Sequence, residues 1–262
     1  MANAHGVAGA GSFRLANGLT VLLAPMAGAP TSSVWVWYRV GSKNERPGLT
    51  GASHWVEHML FNGSPHYAKG AMDRAIMGVG GYLNAFTDVD FTAYLTTVPA
   101  SHVGLPLDIE ADRMTRATMN QAEVDRERKI VLSEREGAEN WPEFRAEEEL
   151  WALAFRRHPY RWDPLGYRED IERLDAASLA GYYRQYYGPR NALLVVTGGF
   201  DRAVIEKMVR KKFGSIVSSG DDPTVRETEP AASGARESNL TGPGTTPFLV
   251  SGWPAPAIAE EE

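Results

Sequence analysis

The segment GASHWVEHMLFNG, residues 51–63, sets His54 and His58 four positions apart, with Glu57 immediately before the second histidine. On a helix, residues four apart lie one turn apart on the same face, so both imidazoles can address a single ion, and Glu57 shares their side. A hydrolytic zinc site takes three protein ligands and keeps one position for water, whose proton a nearby carboxylate can accept. Glu57 has the type and place for that base, and a third ligand must come from another element. In RERKIVLSEREG, Glu134 follows Glu127 by seven positions, which puts both acids on one helical face among Ile130, Val131 and Leu132. One of the two can bind the metal while the other orients a ligand histidine. The structural alternative is an amphipathic helix carrying two surface histidines.

Composition narrows the chemistry. The chain of 262 residues has no cysteine, so disulfides, thiolate ligands and a cysteine nucleophile are excluded, and any metal must be held by His, Asp or Glu. A formal charge of -6 gives no surplus of positive charge for phosphates, so nucleic acid is not expected as a partner. No apolar run reaches the length of a membrane span, and MANAHGVAGAGSF lacks the basic and apolar regions of a secretory leader. A cytoplasmic location is the default expectation, or a periplasmic or secreted one had a leader been removed. No G-x-S-x-G elbow or P-loop is present, and GVGGYL lacks the last glycine of a dinucleotide fingerprint.

The elements that must position these residues are readable in outline. Asn17-Gly18 between the apolar runs of FRLANGLTVLLAP predicts a hairpin, and SSVWVWYRV a third strand. The metal motif falls on a helix expected over about 49–61, stopped by Asn62-Gly63. A second helix is expected around AMDRAIMGVG, then two paired strands in YLNAFTDVDFTAYLTTV, then mainly helices to about residue 156. NALLVVTGG returns to the sheet and DRAVIEKMVRKKFG is a helix with its cations near the end. In PEFRAEEELWALAFR, Glu143, Glu147, Glu148 and Glu149 are expected on the wet face, with Leu150, Leu153 and Phe155 on the dry one. The other histidines, His5, His66, His102 and His158, have no partner at ligand spacing and are expected to be structural or solvated.

HWVEH has the inverted zinc order H-x-x-E-H of the inverzincins, and its surroundings resemble the family of pitrilysin, insulin-degrading enzyme and the mitochondrial processing peptidase. The resemblance runs in order through NGLTVLL, VGSKNERPG, GGYLNAFTDVDFTAY, ERKIVLSE, HPYRWDPLG and YYGPRNALLVVTGGF, nearly the whole chain. It implies one Zn2+ per chain held by His54, His58 and Glu134, the last standing 76 positions after His58. It also implies Glu57 as base and Glu127 as a supporting catalytic residue. The substrate would be a peptide or unfolded polypeptide, added as a strand along the edge containing Asn84, Ala85 and Thr87.

The same resemblance implies an α+β fold, a mostly antiparallel sheet packed against helices, forming one half of a two-halved clamshell metallopeptidase. A zinc-bearing domain is expected over 1–216, a flexible loop or linker over 217–245, and a final strand over 246–262 where the domain looks truncated. The second homologous half would lie downstream or on another chain. The alternative within the same fold is a non-catalytic core or scaffold subunit, against which the intact His54, Glu57, His58 and Glu134 set argues.

Overall fold

A computed structural model describes residues 9–243 and 245–255. Strands β1 (Gly11–Arg14) and β2 (Thr20–Pro25) form the expected hairpin, pairing from Gly11 with Leu23 to Arg14 with Thr20. Gly18 takes the positive φ of 98° that the tight connection requires. With β3 (Thr31–Tyr38), β4 (Tyr82–Thr87), β5 (Thr92–Pro99) and β6 (Ala192–Gly198) they make one six-stranded sheet in the order β1-β2-β6-β3-β5-β4. Only the β2–β6 pairing is parallel, so the sheet is mixed but mostly antiparallel.

The strand alternation explains where the core sits. In β3, Val34, Val36 and Tyr38 are buried while Trp35 and Trp37 remain half-buried on the opposite face, as a period of two requires. Val21, Leu23, Tyr94, Leu194 and Val196 join the buried face. Helices cover it: α1 (Ala52–Met59), α3 (Gly104–Arg116), α7 (Ala176–Tyr186) and α8 (Arg202–Phe213) contribute Trp55, Met59, Leu107, Leu179 and Phe213 to one continuous core. Helix α2 (Ala71–Gly78) packs Met72 and Ile76 with Val98 and Ile109 in a smaller cluster. Helices α4 (Gln121–Glu139), α5 (Pro142–Ala154) and α6 (Arg168–Arg173) continue the outer layer.

Two expectations are corrected. Residues 246–255 form no strand: they bond to neither sheet edge, Leu249 and Trp253 are exposed, and Pro247 and Pro254 remove donors that a ladder would need. Residues 256–262, the rest of that expected strand, lie outside the described residues, as does His5. The acidic face of α5 is not uniformly wet, because Glu148 turns inward and pairs through both oxygens with Arg135 at 2.7 Å each. No residue of α5 is fully buried, so Leu150, Leu153 and Phe155 make a partial rather than a dry face. Among the described residues no helix is long and apolar enough to cross a membrane.

Candidate metal centre

Helix α1 is shorter than the expected span because Gly51, with φ of 85°, turns the chain sharply into it. Gly51 presses against the loop at Leu165–Gly166, where a Cβ would meet the Leu165 carbonyl oxygen at 2.8 Å. No side chain of the preceding residue caps the helix. Glu45 does so from a distance, accepting the Gly51 and Ser53 backbone N–H groups at 2.8 Å each. Trp55, Val56 and Met59 bury the other face of α1 completely, which fixes the turn that carries the histidines. Asn120 caps α4 by accepting the Glu123 N–H at 2.9 Å, and Val124 and Val131 anchor the face that carries Glu127 and Glu134.

These helices bring His54, His58 and Glu134 together. His54 Nε2 lies 3.2 Å from His58 Nε2 and 3.4 Å from Glu134 Oε2, and His58 Nε2 is 3.5 Å from the same oxygen. Ligand atoms about 2.0–2.1 Å from a tetrahedral zinc ion stand about 3.3–3.4 Å from one another. The three donors therefore have the spacing and the chemistry of a zinc site, and they are the group of this kind among the described residues whose ligand atoms converge on one point.

The electrostatics fit a cation. Burial, then the neighbouring His58, pushes the His54 imidazole down to about 3, so its lone pair is free at neutral pH. For His58, burial works downward but is outweighed by Glu127, Glu134 and Glu57, which together push it up. Glu127 Oε2 faces His58 Nδ1 at 3.4 Å, which assigns the ring proton to Nδ1 and the lone pair to Nε2. The Nδ1 of His54 is buried with no hydrogen-bond partner among the described residues, so the two histidines are supported unequally.

Glu57 does not join the triangle. It is buried, and the Thr87 hydroxyl donates to its Oε2 at 2.7 Å. Burial raises its pKa, against the lowering effects of Thr87 and His58, while Glu134 adds to the rise. Glu57, His54, His58 and Glu134 line a cleft of about 430 Å³ whose other walls are Ala85, Phe86 and Thr87 of β4 and the Asp163–Leu165 loop.

β4 is the edge of the sheet, bonded only to β5. The Asp88 N–H to Phe91 carbonyl bond at 2.8 Å sets the ladder phase, so the backbone groups of Leu83, Ala85 and Thr87 point away from β5. Ala85 and Thr87 reach the cleft, whereas Asn84 is exposed on the other side of the strand. Phe86, Asp163, Pro164 and Leu165 were not singled out by the sequence, and the loop gives no periodic signal that would bring it here.

The family described as Insulinase (Peptidase family M16) matches residues 20–163, and one described as Peptidase M16 inactive domain matches residues 173–262. The zinc protease PqqE of Helicobacter pylori is 28% identical over 256 residues, covering 96% of this chain and 58% of that protein. A crystal structure of a protease from Helicobacter pylori superposes with a TM-score of 0.81 at 29% identity, over 84% of this chain and 54% of the other. The first half of the periplasmic protease PqqL from Escherichia coli shares the fold, with a TM-score of 0.75 at 21% identity over 86% of this chain and 49% of the other. The chain thus spans about half the length of the curated relatives it matches.

Proposed function

Because the chain belongs to the insulinase family of peptidases, M16, we propose that it is the zinc-bearing part of an endopeptidase that hydrolyses peptides or unfolded polypeptides bound as an added strand along β4. The observation that carries this reading is the triangle of His54, His58 and Glu134 donor atoms, 3.2–3.5 Å apart, beside the buried carboxylate of Glu57. Zinc held by these three supplies Lewis acidity to water and to the scissile carbonyl.

The chain's own residues do the remaining work. Thr87 holds Glu57 Oε2 and leaves Oε1 free to take a proton from the attacking water and deliver it to the leaving amine nitrogen. Burial raises the proton affinity of Glu57 above that of an ordinary glutamate, which suits a carboxylate that must take up a proton before passing it on. Glu127 holds the Nδ1 proton of His58 and so keeps Nε2 turned to the metal position. The outward backbone groups of Leu83 and Ala85 offer a substrate main chain its hydrogen bonds, which binds many sequences and leaves selectivity to the cleft walls.

A second half, downstream or on another chain, closes the cleft in this reading, which the chain's span of about half its relatives supports. The complete His54, Glu57, His58 and Glu134 set favours hydrolysis over a scaffold role. The test is zinc content of the purified chain together with mass spectrometry of a flexible peptide of about 30 residues incubated with it, beside Glu57→Gln, His58→Ala and a chelator control. One zinc per chain, lost in His58→Ala, with cleavage abolished by Glu57→Gln and by chelation, is the expected result. Absence of zinc binding, or cleavage that survives Glu57→Gln, would overturn it.

A further inference from the structure

Beside the metal triangle, the loop 62–70 delivers a cation to the carboxylate that orients His58. Lys69 Nζ is 3.2 Å from Glu127 Oε1 and 2.9 Å from Glu123 Oε2. Glu127 is thereby divided: Oε1 meets the ammonium, and Oε2 faces His58 Nδ1 at 3.4 Å. We propose that Lys69 is a positioning residue for the metal ligand His58, acting through Glu127. The proposal rests on the zinc reading of the site.

The loop is built to hold this lysine in place. Gly63 adopts a φ of 105°, and its carbonyl accepts from the Thr118 backbone N–H at 3.1 Å and hydroxyl at 2.8 Å. Ser64 N–H bonds the Tyr67 carbonyl at 2.8 Å, and Ser64 Oγ accepts the His66 and Tyr67 N–H groups at 3.1 Å each. His66 Nδ1 and the Ser64 hydroxyl both bond the buried Asp112, the first at 2.7 Å. Four carboxylates, Glu57, Glu123, Glu127 and Glu134, stand close to His58 or to its orienting acid, and Lys69 is the ammonium that bridges two of them.

The Glu127 side chain is only 9% exposed, and Lys69 is the charged donor that meets its Oε1. Without the ammonium, that oxygen would be left without a strong donor and the carboxylate free to turn from Nδ1. A tethered carboxylate fixes the ring, and a ring fixed before the ion arrives loses less freedom on binding it. The plainer role, a staple between the loop and α4, would affect stability but not metal affinity.

Zinc affinity, measured by competition with a chromophoric chelator, separates the two roles. Lys69→Met should weaken zinc binding about tenfold, within the range for groups that orient a ligand, and Lys69→Arg should restore most of it. In a Glu127→Gln background Lys69→Met should add little, because both act on one hydrogen bond. His66→Ala, which loosens the same loop but keeps the ammonium, should leave affinity within about twofold. Nitrogen NMR of the His58 ring gives a second readout without turnover: the Nδ1–H form should be less dominant in Lys69→Met. Equal affinity in Lys69→Met and the parent, with Glu127→Gln weakened, would overturn the role of Lys69 and leave the zinc site standing. A loss that persists undiminished in Glu127→Gln would overturn the route through Glu127. A parent chain that binds no zinc would bring down the zinc reading itself, and this proposal with it.

Discussion

Thr87 donates its hydroxyl proton to Glu57 Oε2 across 2.7 Å, so the edge strand and the acid of helix α1 are joined by a single hydrogen bond. Sequence reading assigns Thr87 to the substrate edge, but its side chain is committed to Glu57. Its loss should be felt in turnover more than in metal binding. Thr87→Val should lower kcat about tenfold, the equivalent of one hydrogen bond to a charged group, with zinc content unchanged and Thr87→Ser close to the parent. An unaltered kcat in Thr87→Val would show that Glu57 is held in other ways.

Arg135 follows the proposed ligand Glu134 and ties α4 to α5 and to the loop before α6. Its guanidinium meets Glu148 at 2.7 Å, Glu139 at 2.8 Å and the Gly166 carbonyl at 3.0 Å, and the residue is 5% exposed. Removing one member of a buried pair strands the other. Arg135→Met should therefore destabilise the chain by about 3 kcal/mol, read as a lower urea midpoint. It should also loosen the segment that carries Glu134. A midpoint within error of the parent would mean that Glu148 regains water easily.

Gly166 and Gly51 cross where the Asp163–Gly166 loop meets the start of α1. Gly166 has a φ of 75°, and a Cβ there would stand 2.4 Å from the Gly51 nitrogen. Gly166→Ala should cost about 2–4 kcal/mol, from the left-handed backbone and the collision together. Gly28 provides the control, with a φ of 77° and nothing within 4 Å of a built Cβ, so Gly28→Ala should cost only about 1 kcal/mol. Equal losses in thermal unfolding would show that the close approach yields without strain.

Glu229 gathers the segment after α8 against the loop before Pro159, accepting the Arg156 and Arg157 N–H groups at 2.8 Å each and that of His158 at 3.0 Å. Burial acts to raise its pKa, but the three backbone donors dominate and hold it at about 2. Because the folded value is depressed, this contact is at full strength above the ordinary glutamate range and is lost as pH falls through about 2. The amide shifts of Arg156, Arg157 and His158 should move together with that midpoint, and the step should vanish in Glu229→Gln. A common midpoint near the usual glutamate value of about 4.3 would contradict the contact.

What could be read from the sequence was what has a local signature. The hairpin was marked by Asn17-Gly18, and the two histidines and two glutamates fell into place because four and seven positions are whole turns of a helix. Lys69 and the Asp163–Leu165 wall were not readable, since loops bring residues together without a period. Asn84, Ala85 and Thr87 come from the resemblance of the N-A-x-T segment, which names a strand edge without saying which face each side chain takes, and in β4 Asn84 lies on the face opposite Ala85 and Thr87. The final strand failed for a related reason: an apolar run such as PFLV has strand composition, but composition does not supply a neighbour to pair with.

The place of β6 has a consequence for how the chain acquires its fold. It lies between β2 and β3, paired in parallel with one and antiparallel with the other, and it closes the sheet with residues from the far end of the domain. Until Ala192–Gly198 has left the ribosome, the hairpin of β1 and β2 has no attachment to the β3-β5-β4 ladder. The early product is two separate pieces with unpaired edges, and joining them requires closure of a very long loop. Completing the sheet therefore depends on a late, non-local pairing of the kind that slows folding, and until β6 is available β2 and β3 each present an unpaired edge.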